Sequence, residues 1–82
     1  MTTSAYKSKE DIYILISKNI KKYRKLRNMT QLDLAQKCEY SYAYIRRIEG
    51  PKCLKTFSIL TLYNISKALN VDIKCLFDEQ DI

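Results

Sequence analysis

Two adjacent arginines, Arg46 and Arg47, form the most chemically distinctive pair in this sequence. A guanidinium group presents a planar fork of N–H donors that fits a guanine edge or a phosphate. Tyr42 and Ala43 lie one helical turn earlier, so on a helix all four side chains would share one side. This spacing predicts a helix at about residues 42–49 whose outer face offers hydrogen bonds to a polyanion.

Residue types that support catalysis or metal binding are scarce. The chain has no His and no glycine-rich phosphate loop, and no Ser or Cys has a plausible nearby base. Its three cysteines contain no CxxC pair, which disfavours a zinc site: they are Cys38, Cys53 and Cys75. We therefore expect no enzyme activity, no metal and no cofactor. Free thiols also favour a reducing, cytoplasmic location.

The stretch 30–49 predicts two short helices joined by a tight turn, and its sequence is TQLDLAQKCEYSYAYIRRIE. Thr30 and Ser41 each precede a helical segment, where a hydroxyl can accept from the free N–H groups of the first turn. The apolar positions recur at helical spacing and would face inward: Leu34, Ala35, Cys38, Ile45 and Ile48. The pattern indicates a helix-turn-helix with a basic outer face.

The rest of the chain supplies helices to hold this unit. Apolar spacing predicts a first helix over 9–27, a fourth from Thr56 or Ser58 to Leu69, and a last short helix capped by Asp72. With one Gly and one Pro, a β-sandwich or barrel is disfavoured. We predict an all-α domain of five helices over residues 8–77, after a flexible N-terminus (1–7) and before an acidic tail (78–82).

Charge is distributed unevenly along the chain, whose net charge is +6. Residues 1–70 carry 14 Lys and Arg against 5 Asp and Glu, whereas residues 71–82 have a net charge of −3. A basic body suits a polyanionic partner, although a solvated lysine-rich surface has the same composition. No apolar run of about 18 residues is present, so no membrane association is expected.

Three segments together resemble the Cro/CI-type (XRE) helix-turn-helix domain of phage repressors and bacterial regulators. They are IKKYRKLRNMTQLDLAQKC, YSYAYIRRIEG and ISKALNVDIKCLF, all between Ile20 and Phe77. The TQxxLA element and the IxxIE ending are the most specific parts. The resemblance implies a lambda-repressor-like fold and binding to double-stranded DNA.

By position, the resemblance also implies roles for individual residues. Tyr42, Ala43 and Arg47 match positions that contact bases in the major groove. Arg46 lies on the same outer face of the predicted helix, so we expect it to contact a base as well. The expected phosphate contacts are Gln31, which in this family often also braces the third helix, Ser41, Lys52 and Lys55. Tyr44 departs from the family in its bulk, and it either contacts phosphate or packs on the rim of the second helix. Arg24 and Glu49 match a largely buried salt bridge.

The sequence departs from the family pattern at the turn, where Glu39 occupies the position usually held by glycine. A left-handed conformation there would cost about 1 kcal/mol. The loop after Glu49 is also about two residues longer than in relatives, which affects the placement of Lys52 and Lys55.

The leading hypothesis is a transcriptional regulator, most simply a repressor, that binds a palindromic operator as a homodimer. Its half-sites would lie about 34 Å apart. Candidate dimer contacts are Leu76, Phe77 and Ile82, and then Tyr13 and Ile14. The alternative is an antitoxin or anti-regulator of the same fold that acts mainly through a protein partner, and RNA binding is a weaker option.

Overall fold

A computed structural model describes residues 9–50 and 57–79 and shows four α-helices followed by a 3₁₀ helix. The α-helices are α1 (Lys9–Leu26), α2 (Gln31–Cys38), α3 (Tyr42–Glu49) and α4 (Ile59–Leu69), and the 3₁₀ helix spans Ile73–Phe77. The all-helical prediction is confirmed for this part of the chain. The five-helix count is not confirmed, because the last segment is a 3₁₀ helix. The predicted cap at Asp72 is wrong, because this side chain makes no capping hydrogen bond. The predicted domain limits stay predictions.

Side-chain caps define where three of the helices begin. Thr30 and Asp33 form a capping box at α2, in which each side chain accepts from the other's backbone N–H. Ser41 accepts from the backbone N–H of Tyr44, and Ser58 does the same for Thr61 at the start of α4. The predicted caps at positions 30 and 41 are confirmed, and Ser58 is the cap at α4.

The core lies between α1 and the helices packed across it. Its buried apolar residues come from every described helix and from a position two residues before α4: Ile16, Ile20, Leu34, Ala35, Ile45, Ile48, Phe57, Leu62, Ile65, Leu69 and Leu76. Leu76 is fully buried, so its candidacy as a dimer contact is wrong: its apolar surface is already used inside the domain. Ile82 lies outside the described residues.

Two buried polar side chains on α1 tie distant segments to this helix. The Ser17 hydroxyl donates to the carbonyl of Ile48 at the end of α3. The Asn19 amide donates to the carbonyls of Leu76 and Asp78, each at 2.8 Å. Because buried polar groups need partners, these bonds fix both α3 and the C-terminal 3₁₀ helix against α1.

In the described part of the chain, no helix is long and apolar enough to cross a lipid bilayer.

Candidate nucleic-acid interface

The exposed surface of α3 is fixed by the burial of its opposite side. Ile45 and Ile48 are 0% and 1% exposed, so the helix cannot rotate without exposing two core side chains. The four predicted base-contacting residues all lie on the solvent side: Tyr42, Ala43, Arg46 and Arg47. The structure therefore brings these four together on one face of one short helix, as the sequence predicts.

Within this face the four side chains form two columns. Successive residues of an α-helix are about 100° apart, so positions four apart nearly overlap. Tyr42 and Arg46 make one column, and the Arg46 guanidinium carbon lies 5.6 Å from the centroid of the Tyr42 ring. That is within cation–π range. Ala43 and Arg47 make the other column, in which the small methyl group leaves space beside the arginine.

The predicted salt bridge between Arg24 and Glu49 is present and buried. Arg24 Nε donates to Glu49 Oε2 at 2.8 Å, Arg24 Nη2 donates to Glu49 Oε1 at 3.1 Å, and the two side chains are 9% and 1% exposed. A third guanidinium nitrogen, Nη1, donates to the carbonyl of Met29 at 2.8 Å. Arg24 thus joins α1, the segment before α2 and the end of α3, and its donors are directed into the protein.

Gln31 stands at the first position of α2, as predicted, and its amide is already engaged. Its Nε2 donates to Glu49 Oε1 at 3.0 Å, which links α2 to the end of α3. The half-buried side chain therefore braces α3 in this structure. Its predicted phosphate contact stays a prediction.

Ser41 and Tyr44, two further predicted phosphate contacts, differ in their surroundings. Ser41 is exposed, and its hydroxyl oxygen caps α3. Tyr44 is half-buried: its ring meets Tyr40 edge to face at 5.2 Å, and its hydroxyl lies 3.4 Å from Thr61 Oγ1. The structure thus places Tyr44 on the rim between α3 and α4. The loop lysines Lys52 and Lys55 lie outside the described residues.

Arg27 connects the end of α1 to the end of α4. Its guanidinium donates to the carbonyls of Leu69 and Asn70, at 2.8 and 3.1 Å, and so caps the end of α4. Arg27 is exposed and directly follows α1, so helical periodicity gives no signal for this contact. Ser17 and Asn19 were also missed, although their positions within the inward stripe of this helix were a usable signal.

Perturbed acid–base groups lie away from the α3 face. Hydrogen bonds from Thr30, from its backbone N–H first, lower the pKa of Asp33 below its ordinary value of 3.8. Burial raises the pKa of the Cys38 thiol to about 11, which makes it a poor nucleophile. Among the described residues no group of three or more His, Cys, Asp or Glu could hold a metal ion. What the face offers is hydrogen bonding and positive charge.

Comparison with known proteins agrees with this geometry. A family profile described as helix-turn-helix, HTH_3, matches residues 20–74, whereas no curated protein matches significantly. Among solved structures, the chain is similar to the crystal structure of the hypothetical transcription factor NHTF from Neisseria, with a TM-score of 0.76. The two chains are 17% identical, with 94% of this chain and 86% of that chain covered, so the likeness shows a shared fold alone.

The profile covers more than half of this chain and includes the whole of α2, the turn and α3. The resemblance to the Cro/CI-type family, expected from the TQxxLA and IxxIE elements, is confirmed. The chain belongs to the XRE-type helix-turn-helix family, HTH_3, a family of DNA-binding transcriptional regulators.

Proposed function

We propose that this protein is a sequence-specific transcriptional regulator, most simply a repressor, that inserts α3 into the major groove of an operator. The observation that carries the proposal is the rigid mounting of α3. Glu49 binds Arg24 and Gln31, and the Ile48 carbonyl accepts from Ser17, while the opposite face is solvent-exposed. A helix held in this way can present hydrogen-bond donors to base edges without reorganising.

The starts of α2 and α3 supply the phosphate contacts in this proposal. Gln31 and Ser41 stand where each helix begins, and free backbone N–H groups with a positive dipole end favour an anion there. Phosphate contacts of this kind set the orientation of the protein, whereas base contacts on α3 set the sequence preference. Lys52 and Lys55 are proposed to extend these contacts from the loop after α3.

A homodimer is the second part of the proposal. One eight-residue recognition helix contacts few bases, so two copies on a palindromic site are the usual way to reach useful specificity. The surface proposed for the second copy is an apolar groove of about 410 Å³ between α1 and α4, lined by Ile12, Tyr13, Ile16, Phe57, Ile59, Leu62 and Phe77. Ile59 and Phe77 are 66% and 41% exposed there.

The DNA-reading proposal is tested by replacing both exposed arginines. The double variant Arg46→Ala with Arg47→Ala should fold normally, because neither side chain is buried, and should lose specific binding in a gel-shift assay. The operator for this assay comes from selection of bound sequences out of a random DNA pool. At about 1–3 kcal/mol each, losing two guanidinium forks should lower specific affinity at least about thirtyfold.

The matched control removes two other positive charges. Lys67→Ala with Lys74→Ala changes the net charge equally but lies at the end of α4 and in the 3₁₀ helix. It should keep operator affinity within about threefold, since only long-range attraction changes. Equal losses in the two double variants would show that binding depends on charge alone, and would contradict recognition by α3.

The same fold could instead act mainly through a protein partner, as an antitoxin or anti-regulator. The exposed apolar groove between α1 and α4 is the observation that favours this alternative. In that case the arginine double variant would keep its cellular role, and substitutions in the groove would abolish it. An adjacent small toxin-like reading frame in the genome would support the alternative, whereas a divergent promoter would support the operator-binding role.

A further inference from the structure

Among the described residues, the side chain of Arg46 makes a contact of a different kind from those of Arg24 and Arg27. Arg24 and Arg27 direct their donors to a carboxylate or to backbone carbonyls. Arg46 instead lies over an aromatic ring, at 5.6 Å from its centroid, and both side chains remain exposed. A cation over a ring is held by the ring's π face, which makes no use of the hydrogen-bond donors at the guanidinium edge.

This arrangement prepares the arginine for a hydrogen-bonding task. A free arginine side chain loses rotamer freedom when it binds, and stacking on a ring removes part of that loss in advance. The donors left free have the spacing that matches O6 and N7 of guanine in the major groove. The Ala43–Arg47 column has no ring, so Arg47 lacks this preparation although it is exposed on the same face.

The tyrosine in this column can read a base of its own. Tyr42 is the first residue of α3 and is 46% exposed, so much of its apolar ring surface remains uncovered. In the major groove, thymine presents a C5-methyl group that the other three DNA bases lack, and this group is recognised by apolar contact. Positions four apart on a helix rise by about 6 Å, so the ring and the guanidinium can lie against neighbouring base pairs.

We infer that Tyr42 and Arg46 act as one unit that reads a thymine followed by guanine, with the ring against the thymine methyl and the guanidinium on guanine N7 and O6. The inference rests on the proposed function, because it assumes that α3 enters the major groove. It assigns Tyr42 as a specificity-determining residue and separates Arg46 from Arg47, which reads its base without an aromatic platform.

The test begins with operators that the full chain selects from a random DNA pool. Binding is then measured to operators in which one base is replaced by an analogue that lacks a single chemical group. Uracil in place of the thymine removes only the methyl group, and inosine in place of the guanine removes only a minor-groove amino group. For the wild-type protein, uracil should weaken binding about fourfold, the worth of one buried methyl group, and inosine should have no effect.

Two variants separate the ring from the hydroxyl. Tyr42→Phe keeps the ring and should retain the fourfold preference for thymine over uracil. Tyr42→Ala should bind both operators equally and should also show a weaker preference for guanine at the neighbouring position, because Arg46 loses its platform. Circular dichroism of both variants should match the wild type, since position 42 is exposed.

The outcomes distinguish this inference from the function on which it rests. If the wild-type chain selects no motif, both are overturned. If it selects a motif without a thymine–guanine step, or if Tyr42→Ala discriminates between thymine and uracil as strongly as the wild type does, the inference is wrong and the proposed function stands.

Discussion

At the scale of single residues, the arginines of this chain show how burial decides what one side-chain type does. Arg24 is buried and its donors are used by Glu49 and by the carbonyl of Met29. Arg46 and Arg47 are exposed and keep their donors available to an external ligand. Residue type alone does not distinguish these cases, because all three side chains carry the same guanidinium group.

Replacing Arg24 by alanine should strongly destabilise the fold. Glu49, whose side chain is only 1% exposed, would be left as a buried charge with Gln31 as its remaining partner. Breaking a buried pair by removing one partner costs about 3–5 kcal/mol of unfolding free energy. Urea denaturation followed by circular dichroism measures this loss.

The control is Lys25→Ala, an exposed cation on the same helix, which should change stability by less than about 0.5 kcal/mol. Wild-type stability in Arg24→Ala would contradict a structural role for the pair.

At the scale of elements, the turn between α2 and α3 sets the relative orientation of the two helices. Glu39 ends α2 with φ 63° and ψ 35°, the left-handed conformation that glycine usually provides. Its N–H and that of Tyr40 close the helix end by donating to the carbonyls of Gln36 and Ala35, at 3.2 and 2.9 Å. The turn therefore uses the left-handed conformation whose cost the sequence raised only as a condition.

The substitution Glu39→Gly should therefore stabilise the protein by about 1 kcal/mol, because glycine adopts this conformation without a Cβ penalty. The measurement is the midpoint of urea unfolding. Asn28→Gly is the matched control: Asn28 has a similar φ of 58°, but asparagine tolerates this region, so the gain should be smaller. Equal gains at the two positions, or none at position 39, would contradict the assigned strain.

At the scale of the whole molecule, α3 and the apolar groove contact different parts of α1. The end of α1 holds the end of α3 through Arg24, whereas Ile12, Tyr13 and Ile16 near its start line the groove. Tyr13 packs edge to face on Phe57 at 4.9 Å, and Ile14 is exposed beside it. The groove lining and the α3 face share no residue, so a second copy in the groove would use contacts different from those proposed for DNA.

Ile59→Lys should weaken self-association at least tenfold, because it places a charge in the apolar surface proposed for the second copy. Sedimentation equilibrium measures the dissociation constant. Leu26→Lys is a matched control: Leu26 is 61% exposed against 66% for Ile59, so neither variant disturbs the core, but Leu26 does not line the groove. The control should associate as the wild type does. A monomeric wild type, or an unchanged constant in Ile59→Lys, would contradict dimerisation through the groove.

The sequence by itself determined the local structure and the face of α3. Periodicity located the helices, capping residues marked their starts, and the spacing of Ile45 and Ile48 specified which side chains point outward. These features depend on residues fewer than about ten positions apart, where helical geometry is fixed. The salt bridge was predictable as well, but only by resemblance to a family.

Only the tertiary structure decided the contacts between distant segments. Gln31 donates a hydrogen bond to Glu49, and Arg27 caps the end of α4. Leu76 is buried in the core, and the last helix is 3₁₀. No local pattern encodes such pairings, because each depends on how whole helices pack and on which buried polar group needs a partner. The stacking of Arg46 on Tyr42 also required coordinates, since helical spacing permits the contact without requiring the rotamers that make it.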